Sequence, residues 1–294
     1  MRINRILILI FLTPISLVFL LIYVLPIIHL FATSFTNYNI FSPNINIVGL
    51  SNYIRMIDDN KFNTALRNTL IWILIQTTVQ VALGVYTALV LYTKPRGWKL
   101  FRTIGLLPHI IPTAALSMIF LNIFNPRHGL LNRIINLFSS QSITINWLSN
   151  NSTAFLSITM SWLLFFGITT MIILNQALSI DENIIEASKL DGANIRQINF
   201  YILIPILKKN IGITVFLSGA FILRLFDIIL LTTNGGPGET TLNLAVYLYK
   251  VFFLEKNYGY ANALGVIIVL LGIIFSFFIW IIFFKEKIKV LKGA

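Results

Sequence analysis

Residues 182–205 read ENIIEASKLDGANIRQINFYILIP, a passage of soluble-protein character set between two strongly apolar tracts. With Asp181 just ahead of it, the passage holds four of the chain's ten acidic residues. Carboxylates are costly in hydrocarbon, so this stretch faces something other than lipid. Its local signals spell two short helices. Ser179 followed by Glu182 fits a capping box, and Asn194 followed by Gln197 offers a second start of the same kind. Between them Gly192 can adopt the left-handed conformation that ends a helix, and Pro205 is expected to close the second one. Ala187, Ser188 and Ala193 are small enough to let a partner approach the backbone around that turn, while Glu186 and Asp191 offer charge. An amphipathic pair lying on lipid headgroups is the blander reading. Four acids facing an anionic leaflet argue against it.

The flanking sequence fixes the class. Of 294 residues, 57% are hydrophobic and only 11% charged, with a mean hydropathy of +0.84. Soluble proteins carry about a quarter charged residues, so this composition describes a membrane protein. A helix must supply about 20 apolar residues to cross the hydrocarbon core. Six stretches do so, at about 6–31, 70–92, 103–124, 154–177, 212–231 and 263–284, which predicts an all-α polytopic membrane protein with six transmembrane helices in a single domain over 1–294. The first stretch follows Arg2 and Arg5 as a secretory signal would. Its apolar run is too long for a signal core, and it is expected to remain as an uncut anchor.

Charge sets the expected orientation. The net charge is +12, and placing both termini in the cytoplasm puts fourteen Lys and Arg inside against seven outside, with Arg224 left in the fifth span. The positive-inside rule favours that arrangement, which makes the loop at 178–209 cytoplasmic and the basic end at 285–294 an anchor at the inner leaflet. The loops at 32–67, which includes Pro43, 125–153 and 232–262 then lie outside, where they can receive an external protein.

Several functions are excluded or weakened. With no cysteine there is no disulfide or thiolate chemistry. A DNA-reading helix-turn-helix fits the Gly192 turn, but the loop lacks a third helix and a concentrated basic face, so no nucleic-acid partner is expected. The run Gly235, Gly236, Pro237, Gly238 marks a turn after the fifth span and lacks the Gly-Lys-Ser/Thr ending of a phosphate loop. His29, His109 and His128 show no metal-ligand spacing. Arg224 and Asp227, three apart in the fifth span, are expected on one helix face, either as a structural ion pair or as polar contacts of a pathway. Asn175 and Gln176 are expected to lead from the fourth span into the polar loop. Ala261, Gly265 and Gly272 suggest a close-packing stripe in the sixth span.

The segment EASKLDGANIRQINFYILIP resembles the cytoplasmic signature of binding-protein-dependent ABC importer permeases: Glu-Ala-Ala, three residues, Gly, nine residues, Ile-x-Leu-Pro. Glu186, Ala187 and Ser188 fill its first three places, Gly192 the glycine, and Ile202, Ile204 and Pro205 its end. Ser188 for Ala and Ile204 for Leu are the two departures. The segments LLPHIIPTAALSMIFLNIFNPRHGLLN (106–132), NWLSNNSTAF (146–155) and LTTNGGPGETTLNLAVYLY (231–249) look like the carbohydrate-transporting branch, of the maltose and glycerol-3-phosphate type, and extend the resemblance over nearly the whole chain.

The resemblance implies a type I ABC importer permease fold in a bacterial plasma membrane, and no catalytic role. It implies that Glu186, Ala187, Ser188, Asp191, Gly192, Ala193 and Pro205 couple to a cytoplasmic ATPase present in two copies. A second permease subunit, an extracytoplasmic solute-binding protein and the lipid bilayer complete the implied partners. No cofactor is expected on this chain, since ATP and magnesium would be used by the ATPase. The implied cargo is a sugar or oligosaccharide. The alternatives are glycerol-3-phosphate or another polar solute on the same machinery and, in another class, a gradient-driven secondary transporter.

Overall fold

The structure is a computed structural model that describes residues 5–41, 44–139 and 142–285. Arg2, Pro43 and the basic end beyond Lys285 lie outside the described residues. Among the described residues there is no β-strand, only isolated bridges at Thr36↔Ile47 and Asn39↔Asn257. The helices are α1 (5–34), α2 (Ser51–Asp58), α3 (Asn60–Tyr92), α4 (Trp98–Ile110), α5 (Thr113–Ile123), α6 (Leu130–Phe138), α7 (Asn151–Leu163), α8 (Gly167–Leu178), α9 (Glu182–Leu190), α10 (Ile195–Ile206), α11 (Lys208–Leu223), α12 (Asp227–Thr232), α13 (Leu244–Leu254) and α14 (Tyr258–Phe284).

Five helical tracts are long and apolar enough to cross a membrane, and α4 with α5 forms a sixth if that bent pair counts as one span. The expectation of a single straight run over 103–124 is therefore corrected. The two helices meet at 102°. Ile111 precedes Pro112 and takes extended backbone (φ −75°, ψ 129°), as a residue before proline must when the ring crowds the helical region. The fourth and fifth spans are also interrupted, at 164–166 and 224–226, where the expected spans run on as helix.

Contacts divide the chain into two compact units, one of residues up to 63 together with 247–270, the other of 64–246 together with the chain from 271 onward. In the first unit, α1 buries none of its most apolar window, which suits a helix faced by lipid tails. Asp59 organises the junction between α2 and α3. Its Oδ1 accepts from the backbone N–H of Lys61 (2.9 Å) and Phe62 (3.3 Å), capping α3, while Oδ2 accepts from the hydroxyls of Tyr247 and Tyr260, the latter at 2.5 Å. The Arg55 guanidinium lies 4.4 Å above the Tyr260 ring. Burial would raise the Asp59 carboxyl, but the two tyrosine and two backbone hydrogen bonds outweigh it and hold the group below its ordinary 3.8. That cap also explains why α3 begins at Asn60, ten residues before the apolar run expected from 70.

In the second unit, Trp72 stacks on Phe155 (4.8 Å), meets Trp162 edge-on (6.5 Å), and donates its N–H to Thr159 Oγ1 at 2.8 Å. Helices α4 and α8 cross backbone to backbone. A Cβ built on Gly167 would lie 1.9 Å from the Gly105 carbonyl oxygen, whereas one built on Gly105 meets nothing closer than Gly167 Cα at 3.9 Å. The close approaches of α11 to α14 come from Gly212 and Gly219, which face Phe283 and Phe275. The stripe expected from Ala261, Gly265 and Gly272 is not one contact. Gly265 lies against Leu30 and Gly272 against Leu223.

Gly167→Ala should lower stability by about 1–3 kcal/mol as the helices are forced apart, while Gly105→Ala should be neutral or slightly stabilising. Thermal midpoints of the purified variants in detergent check the asymmetry, and equal losses would contradict the crossing geometry. Asp59→Ala should cost about 1–3 kcal/mol through the lost cap and the two unpaired hydroxyls. Because the folded carboxyl is held low, its stabilisation is complete above about pH 3.8 and fades as pH falls through the lower folded value. The stability of Asp59→Ala measured from about pH 5 to pH 3 should therefore fall less steeply than that of the parent.

Candidate functional site

The polar passage forms two helices, α9 and α10, as its sequence suggests, but the first cap differs. Helix α8 runs through Leu178, leaving Ser179 with helical backbone (φ −91°, ψ −3°) and its hydroxyl donating to Gln176 O at 2.8 Å. Ser179 therefore cannot cap α9. Asp181 does so instead, its Oδ1 accepting from Asn183 N at 3.0 Å. At the other end, Gly192 takes φ +84° and closes a Schellman turn, with Gly192 N donating to Lys189 O and Ala193 N to Ser188 O, each at 3.0 Å. The second capping box forms as expected. Asn194 Oδ1 accepts from Gln197 N at 3.0 Å, and Gln197 Oε1 accepts from Asn194 N at 2.8 Å. Helix α10 then passes through a wide turn at Ile198–Leu203 and continues one residue past Pro205, so Pro205 sits in its last turn rather than ending it.

One face of this pair is anchored. Ile185, Ile198, Leu203 and Leu207 are buried with Ala88, Leu89 and Leu91 of α3 and Ile173, Leu174 and Ala177 of α8. Outside the apolar spans, each such side chain contributes about 1.5–3 kcal/mol. The opposite face is open. Glu186, Ala187, Asp191, Gly192 and Pro205 are exposed, Ser188 and Ala193 are half-buried, and Leu190 is 89% exposed with Ile195 and Tyr201 also bare. The exposed side of the pair thus carries Leu190, Ile195 and Tyr201 together with the carboxylates of Glu186 and Asp191.

The second feature is a cavity of about 320 Å³ within the 64–246 part of the chain. Its polar lining includes Gln76 and Gln80 of α3, His109 of α4, Trp162 of α7, Ser218 of α11 and Arg224. Gln80 is spent on structure, with Nε2 donating to Phe165 O at 2.8 Å and Oε1 accepting from Ser218 Oγ at 3.1 Å. The expected Arg224–Asp227 pair on one helix face is corrected here. Helix α11 ends at Leu223, and Arg224 caps it with Nε donating to Ala220 O at 3.3 Å. Asp227 begins α12 and accepts from Thr113 Oγ1 at 2.5 Å. The break keeps the two charges apart, and only Arg224 lines the cavity. The sequence reading missed Gln76, Gln80 and Trp162. Two glutamines four apart inside an apolar run were the available signal. Asn175 and Gln176 lie in α8, and Gln176 Oε1 accepts from Asn210 Nδ2 at 3.3 Å.

Among the described residues no group of three or more His, Cys, Asp or Glu side chains is placed to hold a metal.

Residues 80–286 match the family described as binding-protein-dependent transport system inner membrane component. A probable ABC transporter permease of Bacillus subtilis, YurN, is 33% identical, covering 93% of this chain and 94% of that protein. The trehalose/maltose transport system permease MalF of Thermococcus litoralis is 27% identical over 90% of this chain and 88% of its own. In fold, the chain is similar to a chain of a bacterial alginate ABC transporter solved in complex with an alginate pentasaccharide-bound periplasmic protein, with a TM-score of 0.81 at 20% identity, covering 93% of this chain and 92% of the other.

Asn194→Ala should remove the capping box at a cost of about 1 kcal/mol to the start of α10. Hydrogen exchange at residues 195–198 should quicken while exchange in α9 stays unchanged. Equal exchange at 195–198 in the parent and in Asn194→Ala would show that α10 is held by its buried face alone.

Proposed function

Because the chain belongs to the family of binding-protein-dependent transport system inner membrane components, the permease subunits of ABC transporters, we propose that it forms one half of the membrane path of a sugar importer. The whole chain acts as a single permease domain in a bacterial plasma membrane, with both termini and the α9–α10 ledge in the cytoplasm. The observation that carries the reading is the ledge itself, anchored to the bundle through Ile185, Ile198, Leu203 and Leu207 and open on the side that bears Glu186, Ala187, Asp191 and Gly192, with Ser188 half-buried and Ala193 packed in part against the same core. A surface gripped by helices α3 and α8 moves with them. A partner that pushes on it therefore moves the helices that wall the cavity.

The partners are a second permease subunit, two copies of a cytoplasmic ATPase that uses ATP and magnesium, and an extracytoplasmic binding protein that delivers the cargo. A sugar cargo is supported by the relative named for trehalose and maltose, by the fold shared with an alginate transporter, and by a cavity lined with amide, hydroxyl, indole and apolar groups. Glycerol-3-phosphate or another polar solute on the same machinery is favoured by one observation, Arg224 on the cavity wall with no carboxylate bound to it among the described residues. A gradient-driven carrier would need paired ionisable groups at the cavity, and Asp227 is turned instead to Thr113.

Glu186→Lys, a charge reversal on the exposed face, should lower uptake of labelled maltose or trehalose at least about tenfold while the chain stays at normal abundance in the membrane. Gly192→Asp should do the same by straining the turn. Ala187→Cys, in a chain with no other cysteine, should crosslink to an ATPase carrying a cysteine in its membrane-facing groove. Full uptake in Glu186→Lys together with no crosslink from Ala187→Cys would refute the coupling assignment.

A further inference from the structure

Helix α6 is amphipathic the wrong way round for a helix in water. Its amides are turned inward. Asn132, 4% exposed, donates from Nδ2 to Pro126 O (2.9 Å) and Ile145 O (3.0 Å), and its Oδ1 accepts from Trp147 Nε1 at 2.9 Å. One turn on, Asn136 exchanges two hydrogen bonds with the backbone of Ile143, Oδ1 accepting from its N–H at 2.7 Å and Nδ2 donating to its carbonyl at 3.1 Å. Residues four apart share a helix face, so the two amides together fix how α6 is rotated. The face turned away carries Leu130, Ile134, Leu137 and Phe138, all exposed, the last two by 81% and 89%. A helix standing in water would turn those four inward and the amides out.

The turn before α6 sets its depth. Asn125 Oδ1 accepts from the backbone N–H of Arg127 (2.9 Å) and His128 (3.2 Å), and Gly129 N donates to Asn125 O (2.9 Å), so the chain folds back as soon as α5 ends. Gly129 lies against that end, where an added Cβ would stand 2.6 Å from Ile123 O. Phe124, also buried there, meets the Trp147 ring at 6.4 Å, and Trp147 is the residue that holds Asn132. Helix α6 is therefore built onto the end of the bent α4–α5 span, at the level where hydrocarbon gives way to headgroups. The charge at that level suits phosphate. The stretch 125–153 carries Arg127 and Arg133, both exposed, and neither Asp nor Glu. Arg133 precedes Leu137 by one turn and so stands at the rim of the apolar face, where its stem can lie on that face while the guanidinium reaches outward. We propose that α6 lies flat in the phospholipid surface, with Leu130, Ile134, Leu137 and Phe138 at the acyl boundary and Arg127 and Arg133 on lipid phosphates. This goes beyond the import reading and needs only that the α4–α5 pair crosses the membrane. It also removes the bare face of α6 from the surface open to an external protein.

The chain has no cysteine, so single cysteines report without background. Leu137→Cys and Phe138→Cys, each carrying a nitroxide spin label, are measured in the complete transporter reconstituted into phospholipid bilayers. The readout is the collision rate with oxygen, which concentrates in hydrocarbon, against that with a neutral nickel chelate, which stays in water. Both labels should favour oxygen and sit about 5–10 Å into the boundary between headgroups and acyl chains. Leu130→Cys, at the other end of α6, should give the same depth, because a flat helix holds its face at one level. A label at 130 in water with one at 138 in lipid would overturn the flat placement. Arg133→Glu, added to Leu137→Cys, should shift that label toward the water, and an unchanged depth would overturn the phosphate contact. Preference for nickel at both 137 and 138 would put the face in water, and protection from both reagents would put it against another protein, a second permease or a binding protein. Either result overturns the proposal.

Discussion

The constraint on which this structure depends is that hydrocarbon offers no hydrogen bonds, so each polar group taken into the bilayer must find its partner inside the protein. Continuous helix meets that demand for most of the backbone. Where the helices break, the freed carbonyls are met by side-chain amides. Phe165, in the gap between α7 and α8, gives its carbonyl to Gln80, and Leu225, in the gap after α11, gives its carbonyl to Asn243. These amides are structural substitutes for missing helical N–H groups. The breaks are thus specified by residues 85 and 18 positions away rather than by the local sequence.

That arrangement explains which parts of the fold could be read from sequence. Apolar length gave the spans, since any tract of that size and hydropathy must be helical in lipid. The α4–α5 bend had a local mark in Ile111–Pro112. The interruption at 164–166 had none, because Leu164, Phe165 and Phe166 all fit an apolar helix, and at 224–226 the one departure from apolar sequence was Arg224. The same blindness produced the mistaken Arg224–Asp227 face. Three residues apart means one face only while the helix continues, and here it stops between them.

The polar ledge was more legible because its signals are local. Gly192 and the Asn194–Gln197 box act over three or four residues and need no distant partner. Ser179 failed as a cap for an equally local reason, since α8 runs one residue further than its apolar stretch and holds Ser179 in helical backbone. The motif-bearing residues sit where the sequence puts them, yet their mechanical meaning is tertiary. The burial of Ile185, Ile198, Leu203 and Leu207 against α3 and α8 is what fixes these surface helices to the bundle.

Those same two helices connect the ledge to the cavity. Helix α3 carries Leu89 and Leu91 under the ledge, and Gln76 and Gln80 on the cavity wall, along one unbroken tract from Asn60 to Tyr92. The helix is stiffened by its own hydrogen bonds, and at the cavity wall Gln80 ties α3 to Phe165 and Ser218. Gln80 therefore acts as a tether among three helical tracts, while the buried Oε1 of Gln76, one turn away, has no hydrogen-bond partner among the described residues.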